Sequence, residues 1–428
     1  MQSRRFDSLG EWLGWLATLH PKQIDMSLGR VRGVLEALGI AEPPYRVITV
    51  AGTNGKGSCV ALLESVYRAA GFSVGAFTSP HLVRFNERIR FDGQDLDDET
   101  LVELFALIDA ARGELTLSYF EASAVAAMLH FARADADVGV LEVGMGGRLD
   151  AVNAVDADAA LIVSIALDHM EWLGPDRDAI GREKAGIVRP GRPVVVADSD
   201  PPAGLIEAIR EHGGKALLLG RDFSLAATDG GFRYESPDLP AREFPRPLFG
   251  GRIQLDNAAA VVAVVDAMQP LLPVADAQIS AGLAAARLSG RFQRAQVDSV
   301  EWIFDVAHNP ASAALFREAL TGLGDVPRTA AVFGAMADKD LAAVLAPFVA
   351  SVDRWFVGGI DSDRGATPEN LASLLRKLGA TDVSIFTEVG DAARAARQAG
   401  ADRVLAFGSF YTVGPAMNAV GLYSNSSR

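Results

Sequence analysis

Short apolar segments alternate with amphipathic stretches along most of this chain. The first apolar segments have the length of buried strands and lie at Tyr45–Val50, Val74–Thr78, Val138–Val143 and Leu161–Ile165. Helical patterns cover Cys59–Ala70, Asp98–Arg112 and Ala122–Ala134. Strands that alternate with helices predict a mostly parallel, doubly wound sheet, in which ligands bind at the carboxyl ends of the strands.

The pattern changes in the middle of the chain. Short strands with Gly-rich turns predict a small β excursion over Val194–Phe244, and two helices follow near Gln254–Met268 and Ala275–Ala286. Leu288–Arg291 resembles a linker, and beyond it the alternation of strands and helices resumes. We therefore predict an α/β protein with a phosphate-loop domain over residues 1–288 and a smaller, Rossmann-like α/β domain over residues 289–428.

The composition is that of a soluble globular protein. Of its 428 residues, 49% are hydrophobic and 22% charged, and the net charge of −14 argues against a nucleic-acid partner. An anionic small molecule needs only a local basic pocket and stays compatible with this charge. The single cysteine, Cys59, cannot form an internal disulfide, and the sequence has neither a signal-peptide pattern nor an apolar segment of the ~20 residues that span a membrane. We expect a cytoplasmic protein without a membrane partner.

A Gly-rich segment that we call the phosphate loop follows the first predicted strand and leads into a helix. It consists of Gly52, Thr53, Asn54, Gly55, Lys56, Gly57 and Ser58. Glycines let backbone N–H groups converge on a phosphate, a lysine reaches the β/γ-phosphates, and a serine hydroxyl can face Mg²⁺. Val50 replaces the first Gly of the usual motif and Gly57 is inserted before Ser58, so the alternative is an ordinary strand-to-helix turn.

Several separated motifs together resemble the folylpolyglutamate synthase family of the Mur ligase superfamily, including its bifunctional dihydrofolate synthase form. Besides the phosphate loop they are Thr78–Leu82, Glu142–Asp150, Ser164–His169, Glu183–Ile187, Gly290–Phe292 and Asp305–Pro310. The resemblance implies an ATP-dependent ligase that converts a carboxylate of dihydropteroate or a folate into an acyl phosphate, which the amine of L-glutamate then attacks. It also implies a monomer. We adopt the bifunctional form.

The resemblance implies two Mg²⁺ sites and names the catalytic residues Lys56, Glu142, His169 and Lys184. Ser58, Ser79, Glu142 and His169 are the expected metal ligands; water and phosphate oxygens must complete the shell. For His169 alone, a structural histidine is the alternative. Lys184 is implied to be carbamylated by CO₂, which requires a lysine that can lose its proton. The alternative for Lys184 is a solvated helix charge paired with Glu183 or Asp178.

Residues far along the chain are implied to complete the ATP site. They are Gln254, Asn257, Arg291, Asp305 and His308. The amides of Gln254 and Asn257 lie three residues apart and can share a helix face, with exposed surface amides as the alternative. Arg291 could clamp phosphates or be a surface arginine in a hinge, and Asp305 could contact the ribose or cap a turn. If these groups complete the site, closure of the two domains precedes the chemistry.

The candidate substrate residues come partly from the resemblance and partly from the chemistry of their side chains. The Ile24–Arg30 segment resembles the family's N-terminal part of the pterin site. An aromatic ring can stack on a pterin, carboxylates can accept its N–H bonds, and arginines can bind glutamate carboxylates. The candidates are Asp25, Arg30, Arg84, Phe120, Glu121, Asp150 and Asn153. For Phe120 a place in the core is an equal alternative.

Two other functions remain open on sequence alone. One is another Mur-like ligase acting on a nucleotide-sugar peptide, which usually carries an additional N-terminal domain for which the ~50 residues before the phosphate loop leave no room. The other is a phosphate-loop ATPase without ligase chemistry, whose ATP hydrolysis would not depend on glutamate.

Overall fold

A computed structural model describes residues 5–22, 25–237, 239–251 and 253–423. Ile24, the first residue of the predicted substrate segment, lies outside the described residues. The chain divides into two compact units: one contains the chain up to Pro80 with Phe85–Leu248 and Gln254–Ala286, the other His81–Arg84, Phe249–Ile253 and the chain from Arg287. The predicted boundary after residue 288 does not account for the two short earlier segments that join the second unit.

The first unit is built on a large sheet whose strands are β1 (Arg46–Ala51), β2 (Val74–Phe77), β3 (Ile89–Phe91), β4 (Gln94–Asp95), β5 (Val138–Glu142), β6 (Ala159–Ile162), β7 (Pro193–Val196) and β8 (Lys215–Leu218). Their order in the sheet is β4-β3-β2-β5-β1-β6-β7-β8. The six strands from β2 to β8 are parallel, and β3 and β4 add an antiparallel edge. The carboxyl ends of β1, β2, β5 and β6 therefore share one edge of the sheet, as predicted.

Helices cover both faces of this sheet, which is why its central strands are almost continuously apolar. They are α1 (Leu9–Leu19), α2 (Gly29–Ala37), α3 (Lys56–Ala69), α4 (Asp98–Arg112), α5 (Tyr119–Arg133), α6 (Met170–Leu173), α7 (Arg177–Ala185), α8 (Ala203–Glu211), α9 (Ile253–Met268) and α10 (Asp276–Ala285), with short 3-10 helices at Phe85–Arg88 and Ala151–Ala154. A core that includes Trp12, Phe77 and Phe105 packs between α1, α4, α5 and the sheet. Each of these three side chains is almost fully buried.

The β excursion is smaller than predicted. In the described part of this segment, a separate antiparallel sheet is formed only by β9 (Ser224–Ala227), β10 (Gly231–Ser236) and β11 (Leu239–Pro245). The prediction over Val194–Phe244 was wrong for its first half, because β7 and β8 continue the parallel sheet with α8 between them. Short apolar segments look alike in both kinds of sheet, and only the pairing partner distinguishes them.

The second unit contains its own sheet, formed by β12 (Gln293–Val297), β13 (Val300–Asp305), β14 (Thr329–Phe333), β15 (Arg354–Gly358), β16 (Val383–Phe386) and β17 (Arg403–Phe407). The order is β12-β13-β17-β14-β15-β16, and all neighbours are parallel except β12 and β13. Its helices are α11 (Pro310–Thr321), α12 (Leu341–Val349), α13 (Pro368–Lys377), α14 (Val389–Arg397) and α15 (Phe410–Ala419).

Apolar clusters lie on both faces of this second sheet, one around Phe407 and the other around Trp302. The predicted α/β class, with a mostly parallel N-terminal sheet and a smaller C-terminal α/β unit, is confirmed. Among the residues that the structure describes, no helix is long and apolar enough to cross a membrane.

Close helix packing in the first unit gives a stability test. An ideal Cβ on Gly282 of α10 would lie only 2.7 Å from Val66 N of α3, whereas one on exposed Gly14 of α1 would meet nothing within 4 Å. We expect Gly282→Ala to lower the free energy of unfolding by about 1–3 kcal/mol through overpacking. The same change at Gly14 should raise it by about 0.5–1 kcal/mol, because alanine loses less backbone entropy. Denaturant unfolding of both variants measures these changes. A Gly282→Ala protein whose free energy of unfolding equals that of wild type would contradict the close packing of α10 on α3.

Candidate active site

The phosphate loop connects β1 to α3 with a conformation that requires glycine. Gly52 and Gly55 have φ angles of 148° and 99°, which side-chain-bearing residues rarely adopt. A Cβ on Gly52 would overlap the Val163 side chain, and one on Gly55 would lie 3.0 Å from the Asn257 amide. The loop therefore passes close to its neighbours and ends at the N-terminus of α3, where the helix dipole favours an anion.

The loop is fastened to the segment after β6. Thr53 N donates to Ser164 O at 2.7 Å, and Ser164 Oγ donates to Asn54 O at 3.0 Å. Thr53 Oγ1 donates to Ala166 O at 3.2 Å and accepts from Ala166 N at 3.0 Å. These reciprocal bonds fix the loop against the segment after β6, and the sequence did not indicate that Ser164 and Ala166 would be the partners.

Two lysines donate to the same loop carbonyl. Lys184 Nζ lies 2.8 Å from Gly52 O, and Lys56 Nζ lies 3.2 Å from it and 3.4 Å from Thr53 O. The Lys184 residue is only 3% exposed, so it is not the solvated helix charge that was the alternative. Glu183 instead pairs with Arg148 at 2.9 Å.

The electrostatic environment weakens the proton affinity of Lys184. Burial first, and then the nearby charge of Lys56, lower the pKa of Lys184 to about 7, although Asp168 and Asp150 act in the opposite direction. A neutral amine is therefore accessible near neutral pH. Asp168 entered the sequence analysis only as part of a motif; its place directly before His169 was the signal that could have identified it.

Glu142 and Ser79 meet beside the start of α3. Glu142 ends β5 and is 4% exposed, and its Oε2 accepts from Ser79 N at 3.1 Å. An ideal Cβ on Gly57 would lie 3.6 Å from the same oxygen, so the carboxylate lies along the first turn of α3. Burial, reinforced by the charge of Glu142, raises the pKa of Cys59 and keeps its thiol neutral.

These residues fit a divalent cation of the Mg²⁺ type. Ser58 Oγ is buried and has no hydrogen-bond partner among the described residues, which is the condition of a hydroxyl that awaits a ligand. A hydroxyl and a carboxylate at a helix N-terminus are the oxygen ligands that Mg²⁺ shares with phosphates. Within the described chain, no group of three His, Cys, Asp or Glu side chains could hold a metal by itself.

His169 lies at the N-terminus of α6 in the left-handed conformation, with φ 49°. Its backbone N donates to Asp168 Oδ1 at 2.9 Å, and its Nε2 lies 3.9 Å from the same oxygen. The side chain is 36% exposed. A non-glycine residue in this conformation is uncommon and often marks a functional position. Its metal-ligand role stays a prediction.

The amides of α9 are buried rather than exposed. Gln254 and Asn257 are 7% and 2% exposed, and Asn257 Nδ2 donates to Gln254 Oε1 at 3.1 Å. The alternative of surface amides was therefore wrong. Because the Asn257 side chain abuts Gly55, α9 supports the phosphate loop from the side; a contact with nucleotide stays a prediction.

Asp150 and Asn153 hold the Gly-rich segment 144–149. Asp150 Oδ2 accepts from the N–H groups of Gly144 and Met145 at 2.9 and 3.0 Å. Asn153 Nδ2 donates to Arg148 O and to Gly186 O, each at 3.0 Å. Both side chains thus have a structural role that their sequence context did not indicate. Their substrate role stays a prediction.

The other predicted substrate residues of the first unit lie together. Arg30 pairs with Asp25 at 3.3 Å and with Glu121 at 2.8 Å, and His20 contacts Asp25 at 3.1 Å. Arg30 Nε is buried without a partner among the described residues. Phe120 packs so closely on the Gly-rich segment that a Cβ on Gly144 would lie 2.6 Å from its ring. The segment around Asp25 and the start of α5 therefore form one cluster.

The remaining predicted site residues belong to the second unit. Asp305 Oδ2 and Oδ1 accept from Phe292 N and Ala307 N, each at 2.8 Å, so its turn-holding role is observed. Burial raises the pKa of Asp305. The Arg291 guanidinium lies 5.0 Å from the ring of Phe410, and His308 Nδ1 lies 2.8 Å from Val306 O. Arg84 also falls in this unit, and the ligand contacts of Arg84, Arg291, Asp305 and His308 stay predictions.

Known protein families match both units. Residues 50–265 match the Mur ligase middle domain, and residues 290–410 match the Mur ligase glutamate ligase domain. With the parallel sheet and the phosphate loop, these matches place the chain in the Mur ligase class. Dihydrofolate synthase/folylpolyglutamate synthase of Escherichia coli is 42% identical over 96% of this chain and 95% of its own length. The chain belongs to the dihydrofolate synthase/folylpolyglutamate synthase family, which confirms the resemblance drawn from its motifs.

Solved structures of relatives agree with this assignment. The structure of E. coli FolC in complex with DHPP and ADP has a TM-score of 0.92 and 40% identity, covering 98% of this chain and 99% of that one. A bifunctional folylpolyglutamate synthase/dihydrofolate synthase with Mn, AMPPNP and L-glutamate bound has a TM-score of 0.89 and 38% identity, covering 98% of this chain and all of that one.

Asp150 gives a pH test of the site's electrostatics. Burial raises its pKa to about 6 although three backbone N–H bonds oppose this, so the folded protein binds more protons than the unfolded chain between about pH 4 and 6. The stability contribution of Asp150 should therefore fall as the pH rises through that window. We expect the free energy of unfolding of Asp150→Asn, relative to wild type, to increase from pH 4 to pH 6 and then stay constant.

Asp97, the cap of α4, is the matched control for this measurement. Its hydrogen bonds with Thr100 lower its pKa, so its contribution is lost only as the pH falls below about 4. The difference in free energy of unfolding between Asp97→Asn and wild type should change little between pH 4 and 6. A flat difference for Asp150→Asn as well would contradict the raised pKa.

Proposed function

We propose that this protein is an ATP-dependent ligase that joins L-glutamate to dihydropteroate, forming dihydrofolate, and to folates, extending their glutamate chain. The observation that carries the proposal is the meeting of the phosphate loop with the buried Glu142 carboxylate and the Ser58 hydroxyl at the start of α3, a hydroxyl that has no partner in the described structure. The relatives named above, whose structures hold ADP with DHPP or AMPPNP with Mn and L-glutamate, support the same reaction.

The reaction proceeds in two balanced steps. A carboxylate oxygen of the pteroate or folate attacks the γ-phosphorus of ATP, so an acyl phosphate forms and ADP leaves. The amine of glutamate then attacks the acyl carbon, an amide forms as the nitrogen loses a proton to solvent, and phosphate leaves with the electron pair of the broken C–O bond. Lys56 and the loop N–H groups bind the phosphates and stabilise the charge that develops on them.

Divalent cations supply charge neutralisation for the phosphates when bound. We propose that Ser58, Ser79 and Glu142 hold one Mg²⁺ and that Glu142 and His169 help to hold a second. Gln254, Asn257, Arg291, Asp305 and His308 are proposed nucleotide contacts. For the substrate we propose the cluster of Asp25, Arg30, Phe120 and Glu121, with Arg84, Asp150 and Asn153 as further candidates. We further propose that the protein works as a cytoplasmic monomer.

Lys184 is proposed to carry a carbamate. The neutral amine attacks CO₂ at carbon, a C–N bond forms, and the proton leaves to solvent, so a buried cation becomes an anion. The lowered pKa of Lys184 supports this step, since only the neutral form is nucleophilic. A carbamate would also relieve the repulsion between Lys184 and Lys56.

The reaction is tested by incubating the protein with ATP, Mg²⁺ and glutamate, together with dihydropteroate or, separately, tetrahydrofolate. We expect mass spectrometry to find one added glutamyl unit on each substrate, and phosphate release to require glutamate and the pterin substrate together. Product from only one of the two substrates would remove the bifunctional assignment. Equal phosphate release without glutamate would instead support a simple ATPase.

The phosphate contact is tested by Lys56→Ala. We expect this folded variant to lose product formation by a factor of at least ~100, because the transferred phosphate loses a positioned cation. Lys215→Ala, at an exposed position of β8, is the control and should keep wild-type activity. Product formation and circular dichroism are measured on both, and full activity of Lys56→Ala would refute the assigned contact.

The carbamate is tested by ¹³C NMR of protein equilibrated with ¹³C-bicarbonate. We expect a carbamate signal in wild type that is absent from Lys184→Gln and retained in Lys215→Gln. Because the neutral amine becomes dominant above about pH 7, the signal should grow as the pH rises through that value at constant dissolved CO₂. A wild-type protein that is active but shows no such signal would refute the modification.

A further inference from the structure

A largely buried ion pair connects the antiparallel edge of the first unit's sheet to α3. Arg90 lies on β3, and Glu64 lies in the middle of α3. Arg90 Nε and Nη2 donate to Glu64 Oε2 at 3.0 and 2.8 Å. The two side chains are 16% and 7% exposed, and such a pair is retained at a cost in desolvation that a structural role must offset.

The third guanidinium nitrogen reaches toward the proposed metal site. Arg90 Nη1 donates to Thr78 Oγ1 and to Glu87 O, each at 3.1 Å. Thr78 directly precedes Ser79, whose N–H donates to Glu142 Oε2 at 3.1 Å. A planar guanidinium fixes the directions of its hydrogen bonds to Glu64, Thr78 and Glu87 at the same time, which a lysine ammonium cannot do.

The charge of Arg90 is also coupled to this site. Burial alone would lower the pKa of Arg90, but the charges of Glu64, Asp95 and Glu142 raise it above its usual range. Arg90 is thus held as a cation by charges that include the Glu142 carboxylate.

We propose that Arg90, held in place by Glu64, is a positioning residue for the Ser79 and Glu142 edge of the metal site. It acts through Thr78, which it holds by a hydrogen bond, and not as a ligand. The inference rests on the proposed function, because it assumes that Ser79 and Glu142 hold a divalent cation together with nucleotide. Partners of metal ligands commonly change metal affinity about 10–100-fold when they are removed.

The test measures Mn²⁺ affinity of the protein in the presence of a non-hydrolysable ATP analogue, by the electron paramagnetic resonance signal of free Mn²⁺. We expect Arg90→Lys to weaken Mn²⁺ binding about tenfold, since the charge stays but the bond to Thr78 is lost. Thr78→Val removes the acceptor hydroxyl without touching the ion pair and should weaken binding in the same direction. Thr78→Val decides the question if Arg90→Lys does not fold.

A double-mutant cycle distinguishes positioning from a general loss of stability. If Arg90 acts through the Thr78 hydroxyl, then Arg90→Lys should have little further effect on Mn²⁺ affinity in a Thr78→Val background, which lacks that hydroxyl. The matched control is Arg403→Lys in the second unit, where Arg403 Nε donates to Glu301 Oε2 at 2.8 Å and Nη1 donates to Gly324 O at 3.0 Å. This control should lose stability and keep wild-type Mn²⁺ affinity.

The outcomes separate this inference from the function on which it rests. Unchanged Mn²⁺ affinity in folded Arg90→Lys and Thr78→Val proteins would overturn the positioning role while leaving the ligase assignment intact. Losses of Mn²⁺ affinity from Arg90→Lys and Thr78→Val that simply add in the double variant would overturn it too. If wild type bound no Mn²⁺ with the ATP analogue, the proposed function itself would fail.

Discussion

The close approach of two lysines to one carbonyl is the constraint on which the active site depends. Lys56 and Lys184 both donate to Gly52 O, and Lys184 does so from a buried position. Two ammonium groups cannot both remain charged there without cost, so one of them must be neutral, modified or compensated. Burial and the charge of Lys56 lower the pKa of Lys184, and the carboxylates of Asp168 and Asp150 oppose this shift. The phosphate loop therefore carries a half-buried lysine, Lys56, beside a buried lysine, Lys184, whose pKa is lowered.

Loops at the carboxyl edge of the large sheet are held by side chains that themselves face inward. Asp150 accepts from two N–H groups of the Gly-rich segment, and Asp198 Oδ2 accepts from Ile165 N at 2.7 Å in the segment that carries His169. Asp305 holds the start of the second unit in the same manner. Each carboxylate satisfies backbone donors that would otherwise be buried without partners. A site that must grip phosphate in a fixed geometry gains from such preorganisation, since no reorganisation is needed when the ligand binds.

Several candidate residues have a structural role whether or not they contact a ligand. Asn153 joins Arg148 to Gly186, two residues beyond Lys184, and Asn257 supports Gly55. Substitution at such positions alters the geometry of the site even if the side chain never touches a ligand. Activity loss alone therefore does not distinguish contact from support, which is why measurements of binding, titration and modification carry more information for this protein.

The sequence by itself determined the α/β class, the phosphate loop and the family, because these depend on local periodicity and on short motifs. The helix Asp98–Arg112 was predicted to the residue, and the strand predicted at Val74–Thr78 ends one residue earlier, at Phe77. Only the tertiary structure decided that β7 and β8 extend the main sheet and that Lys184 is buried against Gly52, 132 positions away in the chain. Burial and pairing arise from distant segments that meet on folding, so no local pattern around Lys184 or Arg90 could specify which carbonyl or hydroxyl each would find.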